Sequence, residues 1–207
     1  ERLEYRGYDS SGIATIYNDQ IHLRRKVGKL SELKAKIIKE PVSGTIGIGH
    51  IRWATHGGVT EQNAHPHLVN SEVAIVHNGI IENYVELKKD LTDKGYSFSS
   101  DTDSEVLAHL FAYVIEQGLK PVDALKAVLS KIEGAYSFAV LSKSHPGTLM
   151  VARNASPLAI GISDDMAIVA SDATAMAHLT RQVTYLKDND YAVITSKRID
   201  IYDGKNK

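Results

Sequence analysis

A chain of 207 residues that is 43% hydrophobic and 24% charged can fill one sizeable core, and a formal net charge of -1 leaves no positive excess to hold a nucleic acid or an anionic membrane surface. The absence of cysteine excludes disulfides, zinc-thiolate centres and a cysteine nucleophile within these residues. No apolar run approaches the roughly 20 residues of a membrane span and no charged-then-apolar leader opens the chain, so a soluble, cytoplasmic protein is expected.

Leu3, Glu4, Tyr5 and Arg6 read as the last turn of a helix closed by Gly7, since glycine relieves left-handed strain just past a helix end. The start of that helix is not among these residues, which points to further chain upstream. "SGIATIY" and "IHLRRKV" are strand-like runs joined by Asn18, Asp19 and Gln20, the turn chemistry of a hairpin. The basic stretch "HLRRKVGK" is most simply one solvated strand face. "LSELKAKIIKE" reads as a helix ended by Pro41 and Gly44.

A strand "TIGIGHIRWA" then leads into the polar loop "THGGVTEQNAHPHLVNS", and a strand "EVAIVHNG" follows. From Ile80 the period changes, with Ile80, Tyr84, Leu87 and Leu91 at helical spacing up to Gly95. Thr102 and Glu105 form a capping-box pattern ahead of a helix burying Val106, Leu107, Leu110, Phe111 and Val114. A third helix carries Leu125, Val128, Leu129 and Ile132. After Gly134 come seven strand-like runs, and only "DATAMAHL" among them reads as helical. With four strands before the helical block and seven after it, the expectation is an α+β fold with mainly antiparallel sheets, two of them stacked. Without repeats, low-complexity tracts or more than five prolines, residues 1–207 read as one domain.

Three stretches carry side chains suited to chemistry. In "HIRWATHGG" the fork of Arg52 suits a carboxylate, Trp53 offers an aromatic wall, and Thr55 and His56 sit in a loop with paired glycines. Residue types alone fit an edge-strand arginine and a core tryptophan as well. In "VHNGIIEN" the Asn78-Gly79 pair would ordinarily mark a hairpin turn, but helical spacing follows it. That places the pair at a strand-to-helix junction, where a side-chain amide and a backbone amide can share one oxygen. In "SDTDSE" Asp101 and Asp103 stand at a helix start, where capping explains a carboxylate and an ammonium partner is the alternative. An arginine and an aspartate in one pocket would match the two charged ends of a free α-amino acid.

Nine histidines raise a metal site, above all His65 and His67 of "NAHPHL" near His56. Their spacing matches no helical zinc motif, and no metal is expected. The glycines of "GTIGIG" stand at the wrong offsets for a phosphate loop, and "GYDSSG" misses the nucleophile-elbow pattern. No cofactor is expected.

Taken in order, "LEYRGYDSSGIA", "HIRWATHGG", "NAHPH", "VHNGIIENY" and "SDTDSEV" resemble the glutaminase domains of the glutamine:fructose-6-phosphate amidotransferase family over essentially the whole chain. The resemblance implies a four-layer αββα sandwich of the N-terminal-nucleophile hydrolase type, here without its first strand and most of its first helix, about 20 residues at ordinary element lengths. It implies that Arg52 holds the α-carboxylate of glutamine and Asp103 its α-amino group. Trp53, Thr55 and His56 would lie in the loop closing over the substrate, Asn78 and Gly79 would form the oxyanion hole, and Arg6 would stand near the nucleophile. The family's nucleophile is an N-terminal cysteine whose own amine is the base, and these residues contain none.

The implied activity is release of ammonia from glutamine for the conversion of fructose 6-phosphate to glucosamine 6-phosphate, with a sugar isomerase domain and a homo-oligomer as partners. The fragment alone is expected to be inactive. A non-catalytic module binding glutamine or glutamate, and the glutaminase domain of a related amidophosphoribosyltransferase, remain as alternatives.

Overall fold

A computed structural model describes residues 2–54 and 57–204, without the side chain of Arg6. Strands β1 (Ser10–Tyr17) and β2 (Gln20–Val27) form the expected hairpin. Asn18 and Asp19 adopt φ of 49° and 55°, left-handed values that these two side chains tolerate and that match the twist of paired strands. Helix α1 (Leu30–Lys39) follows, and β3 (Ile46–Arg52) pairs with the other edge of β1. Strand alternation turns Ala14, Ile16 and Ile48 to the inner face of this sheet, where they are buried. Ile13 and Ile51 are left to the α1 side.

The chain continues through β4 (His67–Val69), β5 (Val73–Ile81), α2 (Tyr84–Asp93), α3 (Ser104–Glu116) and α4 (Pro121–Leu129). It ends in β6 (Gly134–Ser142), β7 (Thr148–Asn154), β8 (Ala159–Ile162), β9 (Ala167–Ala170), β10 (Gln182–Tyr185), β11 (Tyr191–Thr195) and β12 (Ile199–Tyr202). A six-stranded sheet runs β12-β11-β7-β6-β5-β4, and three-stranded sheets run β2-β1-β3 and β10-β8-β9; every pair is antiparallel. One face of the large sheet packs on α2–α4 through Ile75, Phe111, Phe138 and Met150. Its other face packs on both small sheets through Ala74, Leu141, Val151, Ile48 and Ile160. The layers are therefore helices, large sheet, divided small sheets, and α1 outside.

Several expectations are corrected. The opening helix tail is a single 3-10 turn, Glu4–Arg6, and Gly7 is extended (φ 174°) rather than left-handed. Glycine is required there by space, because a Cβ would lie 2.7 Å from the Arg52 carbonyl. The three-residue β4 escaped notice, so five strands precede the helical block, and the second sheet layer is split in two. "DATAMAHL" forms only a 3-10 turn, Ala173–Ala175, capped by the Asp172 carboxylate accepting from Thr174 N.

The Thr102–Glu105 capping box does not form. Glu105 instead accepts from Ser99 N, Ser99 Oγ and Ser100 N at 2.9, 2.8 and 2.7 Å, and Thr102 Oγ1 meets His67 Nε2 at 3.1 Å. The basic stretch of β2 is not merely solvated. Lys26 pairs with Glu61 at 3.3 Å, and Arg25 Nη1 donates to the Ala64 carbonyl at 3.1 Å. The hairpin thereby tethers the long polar loop.

Candidate active site

The open edges of β3 and β9 border one cleft of about 1110 Å³. Arg52, Trp53, Asn78, Gly79 and Asp103 all line it, so residues far apart in the chain meet at one place. Three elements bring them there. Arg52 ends β3 on its inner face, Asn78 faces it from β5 in the opposing sheet, and Asp103 stands at the N-terminus of α3 behind β5.

Arg52 is buried, and its guanidinium donates to the Gly58 and Gly57 carbonyls at 3.1 and 3.4 Å. Burial lowers its pKa, while the charges of Asp9 and Asp103 oppose that shift; an arginine keeps its proton under such conditions. Asp9 Oδ2 in turn accepts from Ala54 N at 2.7 Å, which fixes the chain just past Arg52. Asp103 is buried, with Oδ2 accepting from Ile81 N at 2.8 Å and Oδ1 from Ser104 Oγ at 3.3 Å. Its carboxylate binds the end of β5 rather than capping its own helix. Trp53 is 59% exposed and lies 5.7 Å from the Tyr8 ring, so it is a wall and not a core residue. Thr55, His56 and the Arg6 side chain lie outside the described residues.

The expectation that Asn78 and Gly79 mark a strand-to-helix junction is corrected. β5 continues to Ile81, with Asn78 opposite Ser137 and Gly79 opposite Tyr136 on β6, and α2 begins only at Tyr84. Gly79 has φ 128°, and a Cβ there would stand 1.9 Å from the Ala135 carbonyl oxygen, so only glycine permits this close pairing. The helix-like period of Ile80 and Tyr84 spans the end of one element and the start of the next.

Sequence reasoning weighed His65 and His67 only as metal ligands and missed their grouping with His50 and His77 at the floor of the cleft. His50 and His65 stack at 4.4 Å, and the His67 ring lies edge-on to His65 at 4.7 Å. His77 Nδ1 meets Ser104 Oγ at 2.8 Å. Burial depresses all four: His50 and His77 to about 4, His67 to about 3, and His65 well below its ordinary value. The rings are neutral polar packing. Asn63 was also missed; it donates to the Gly58 carbonyl at 3.0 Å and accepts from Asp101 N at 3.0 Å, tying the loop to the start of α3. Among the described residues no three His, Asp or Glu side chains are grouped to hold a metal ion.

This layered sheet arrangement, with its cleft at a sheet edge, defines the chain as an N-terminal-nucleophile hydrolase fold of the class II glutamine amidotransferase type. Glutamine phosphoribosylpyrophosphate amidotransferase from B. subtilis superposes with a TM-score of 0.83 at 27% identity, over 100% of this chain and 45% of that one. A Silicibacter pomeroyi glutamine aminotransferase class-II domain protein gives 0.65 at 18% identity, covering 95% and 96% of the two chains. The glutamine amidotransferase domain model matches residues 50–178, and the chain belongs to that family.

It is 50% identical, over 98% of its length, to the glutamine--fructose-6-phosphate aminotransferase [isomerizing] of Rhizobium leguminosarum bv. viciae. The enzyme of that name from Idiomarina loihiensis is 49% identical over 99% of this chain. The chain spans about a third of the length of either relative, 33% and 34%.

Proposed function

We propose that these residues are the glutamine-binding and glutamine-cleaving part of an isomerizing glutamine--fructose-6-phosphate aminotransferase, a soluble cytoplasmic enzyme. The observation that carries this reading is the placement of Arg52 and Asp103 on one cleft with Asn78 and Gly79. A buried guanidinium and a buried carboxylate match the α-carboxylate and α-ammonium of glutamine, and charge-assisted pairs of this kind are the strong ones. The side-chain amide of Asn78 and the backbone N–H of Gly79 would receive the oxygen that becomes negative as the carbonyl is attacked.

The attacking thiol has to come from outside these residues, which contain no cysteine. In this reading the thiolate forms a C–S bond to the amide carbon, the C–N bond breaks, and ammonia leaves with a proton returned by the amine that acted as base. Water then cleaves the thioester to glutamate. The ammonia would pass to a sugar isomerase domain of the same parent chain, assembled as a homo-oligomer.

The test is ammonia release from glutamine by the full-length protein, with and without Arg52→Ala. Loss of most of the activity in the variant, through a raised KM, supports the assignment. Unchanged kinetics would overturn it. Calorimetric binding of glutamate by a full-length protein that never cleaves glutamine would select instead a module that binds without chemistry.

A further inference from the structure

We propose that His50 is a positioning residue for the oxyanion-binding amide: its Nε2–H holds Asn78 Oδ1 and so turns the Asn78 NH2 group toward the cleft. The proposal rests on the oxyanion role assigned to Asn78 above. Its geometric basis is a contact between the two sheet layers. His50 on the inner face of β3 reaches across to β5, where Nε2 lies 2.8 Å from Asn78 Oδ1. A carbonyl oxygen only accepts, so the proton at this contact belongs to the imidazole. With its oxygen committed, the Asn78 amide has one orientation left for its two N–H groups, and an anion-binding donor works best when it is fixed before the charge develops.

The ring of His50 is itself held in place. It stacks on His65 at 4.4 Å with planes 22° apart, and His65 Nδ1 accepts from the His77 backbone N–H at 3.2 Å. The backbone of β5, next to Asn78, therefore anchors the ring pair that orients Asn78. Burial, partly offset by the Asn78 hydrogen bond, lowers the His50 pKa to about 4. Near neutral pH the ring thus carries one N–H, and only one of its nitrogens can donate.

The experiment compares His50→Gln, His50→Asn and His50→Phe in the full-length protein, reading kcat and KM for glutamine hydrolysis, glutamate affinity by calorimetry and the urea midpoint. Gln places an N–H where Nε2 stands, Asn places one nearer Nδ1, and Phe supplies none. We expect kcat to fall about 10- to 100-fold in Phe and Asn, short of or equal to the loss of an oxyanion donor, with KM and glutamate affinity within about twofold, and Gln to restore most of kcat. A kcat for Phe equal to wild type overturns the proposal, as does rescue by Asn and not by Gln. Should all three variants lose urea stability and kcat in the same proportion, His50 is structural and the proposal fails. A wild-type protein without glutaminase activity would instead remove the reading on which the proposal rests.

Discussion

Two regions around the six-stranded sheet are built from different materials. Between the middle of the sheet and the bodies of α2–α4 the interior is largely apolar, with Phe111 edge-on to Phe138 at 5.6 Å and Ile75, Leu107 and Leu110 essentially without exposure. From the open edge of β3 through to the start of α3, buried imidazoles, hydroxyls and an arginine replace the aliphatic side chains. Apolar packing is stabilising but indifferent to direction. Neutral imidazoles give orientation, because a ring nitrogen bonds one chosen partner, as His50 Nε2 does Asn78 Oδ1 and His77 Nδ1 does Ser104 Oγ, and they add a dependence on pH that apolar packing lacks.

That dependence is the largest effect expected. The folded-state pKa values of His65, His67 and His77 lie below the ordinary 6.5, with burial the leading cause in each. A group depressed on folding contributes stability above its unfolded pKa and loses it as pH falls toward the folded value. Each such histidine should therefore cost roughly 1.4 kcal/mol per pH unit below about 6.5. Urea midpoints measured from pH 7 to pH 4 should fall steeply, with uptake of more than one proton on unfolding. A flat profile over that range would show that the imidazoles reach solvent.

Glu105 acts lower on the scale. Burial raises its pKa, but His109 and the hydrogen bonds from Ser99 and Ser100 outweigh burial and hold it below the carboxylate range. Its contribution persists above about pH 4.3 and is lost only under stronger acid.

Two substitutions separate the two regions. Phe111→Ala should destabilise by about 3–5 kcal/mol and leave glutamate affinity near wild type, as chemical denaturation and calorimetry would show. Arg52→Ala should do the reverse, weakening glutamate by about 30-fold or more, the equivalent of about 2 kcal/mol lost at one side of a charge pair. A melting temperature lower than that of Phe111→Ala would place Arg52 in the scaffold and not in the binding site.

The same contrast explains what was legible in the sequence. Val106, Leu107, Leu110, Phe111 and Val114 follow a helical period, and all five are buried in α3, because a helix face is a local property. His50, His65, His67 and His77 come from β3, a loop, β4 and β5. Strand order and the stacking of two layers bring them together, and neither leaves a spacing to read. Arg52, Asn78 and Asp103, which line one cleft, follow no local period either, and only several short motifs taken together single them out. The registers of β5 and β6 that place Asn78 opposite Ser137 were hidden, since "NGII" mimics the start of a helix while Gly79 in fact continues a strand.

The smallest expected effect lies at that register. Ser137 is 2% exposed on the cleft side of β6, and its Oγ has no hydrogen-bond partner among the described residues. A buried hydroxyl without a partner costs about 1–3 kcal/mol relative to one that is satisfied. Ser137→Ala removes that cost at the loss of one small polar atom, so the protein should gain up to about 1 kcal/mol with kcat unchanged. Loss of stability would mean that the hydroxyl is satisfied by solvent in the cleft. A fall in kcat with stability unchanged would mean that the layer facing β3 contributes a donor to the reacting oxygen besides the proposed pair, Asn78 and Gly79.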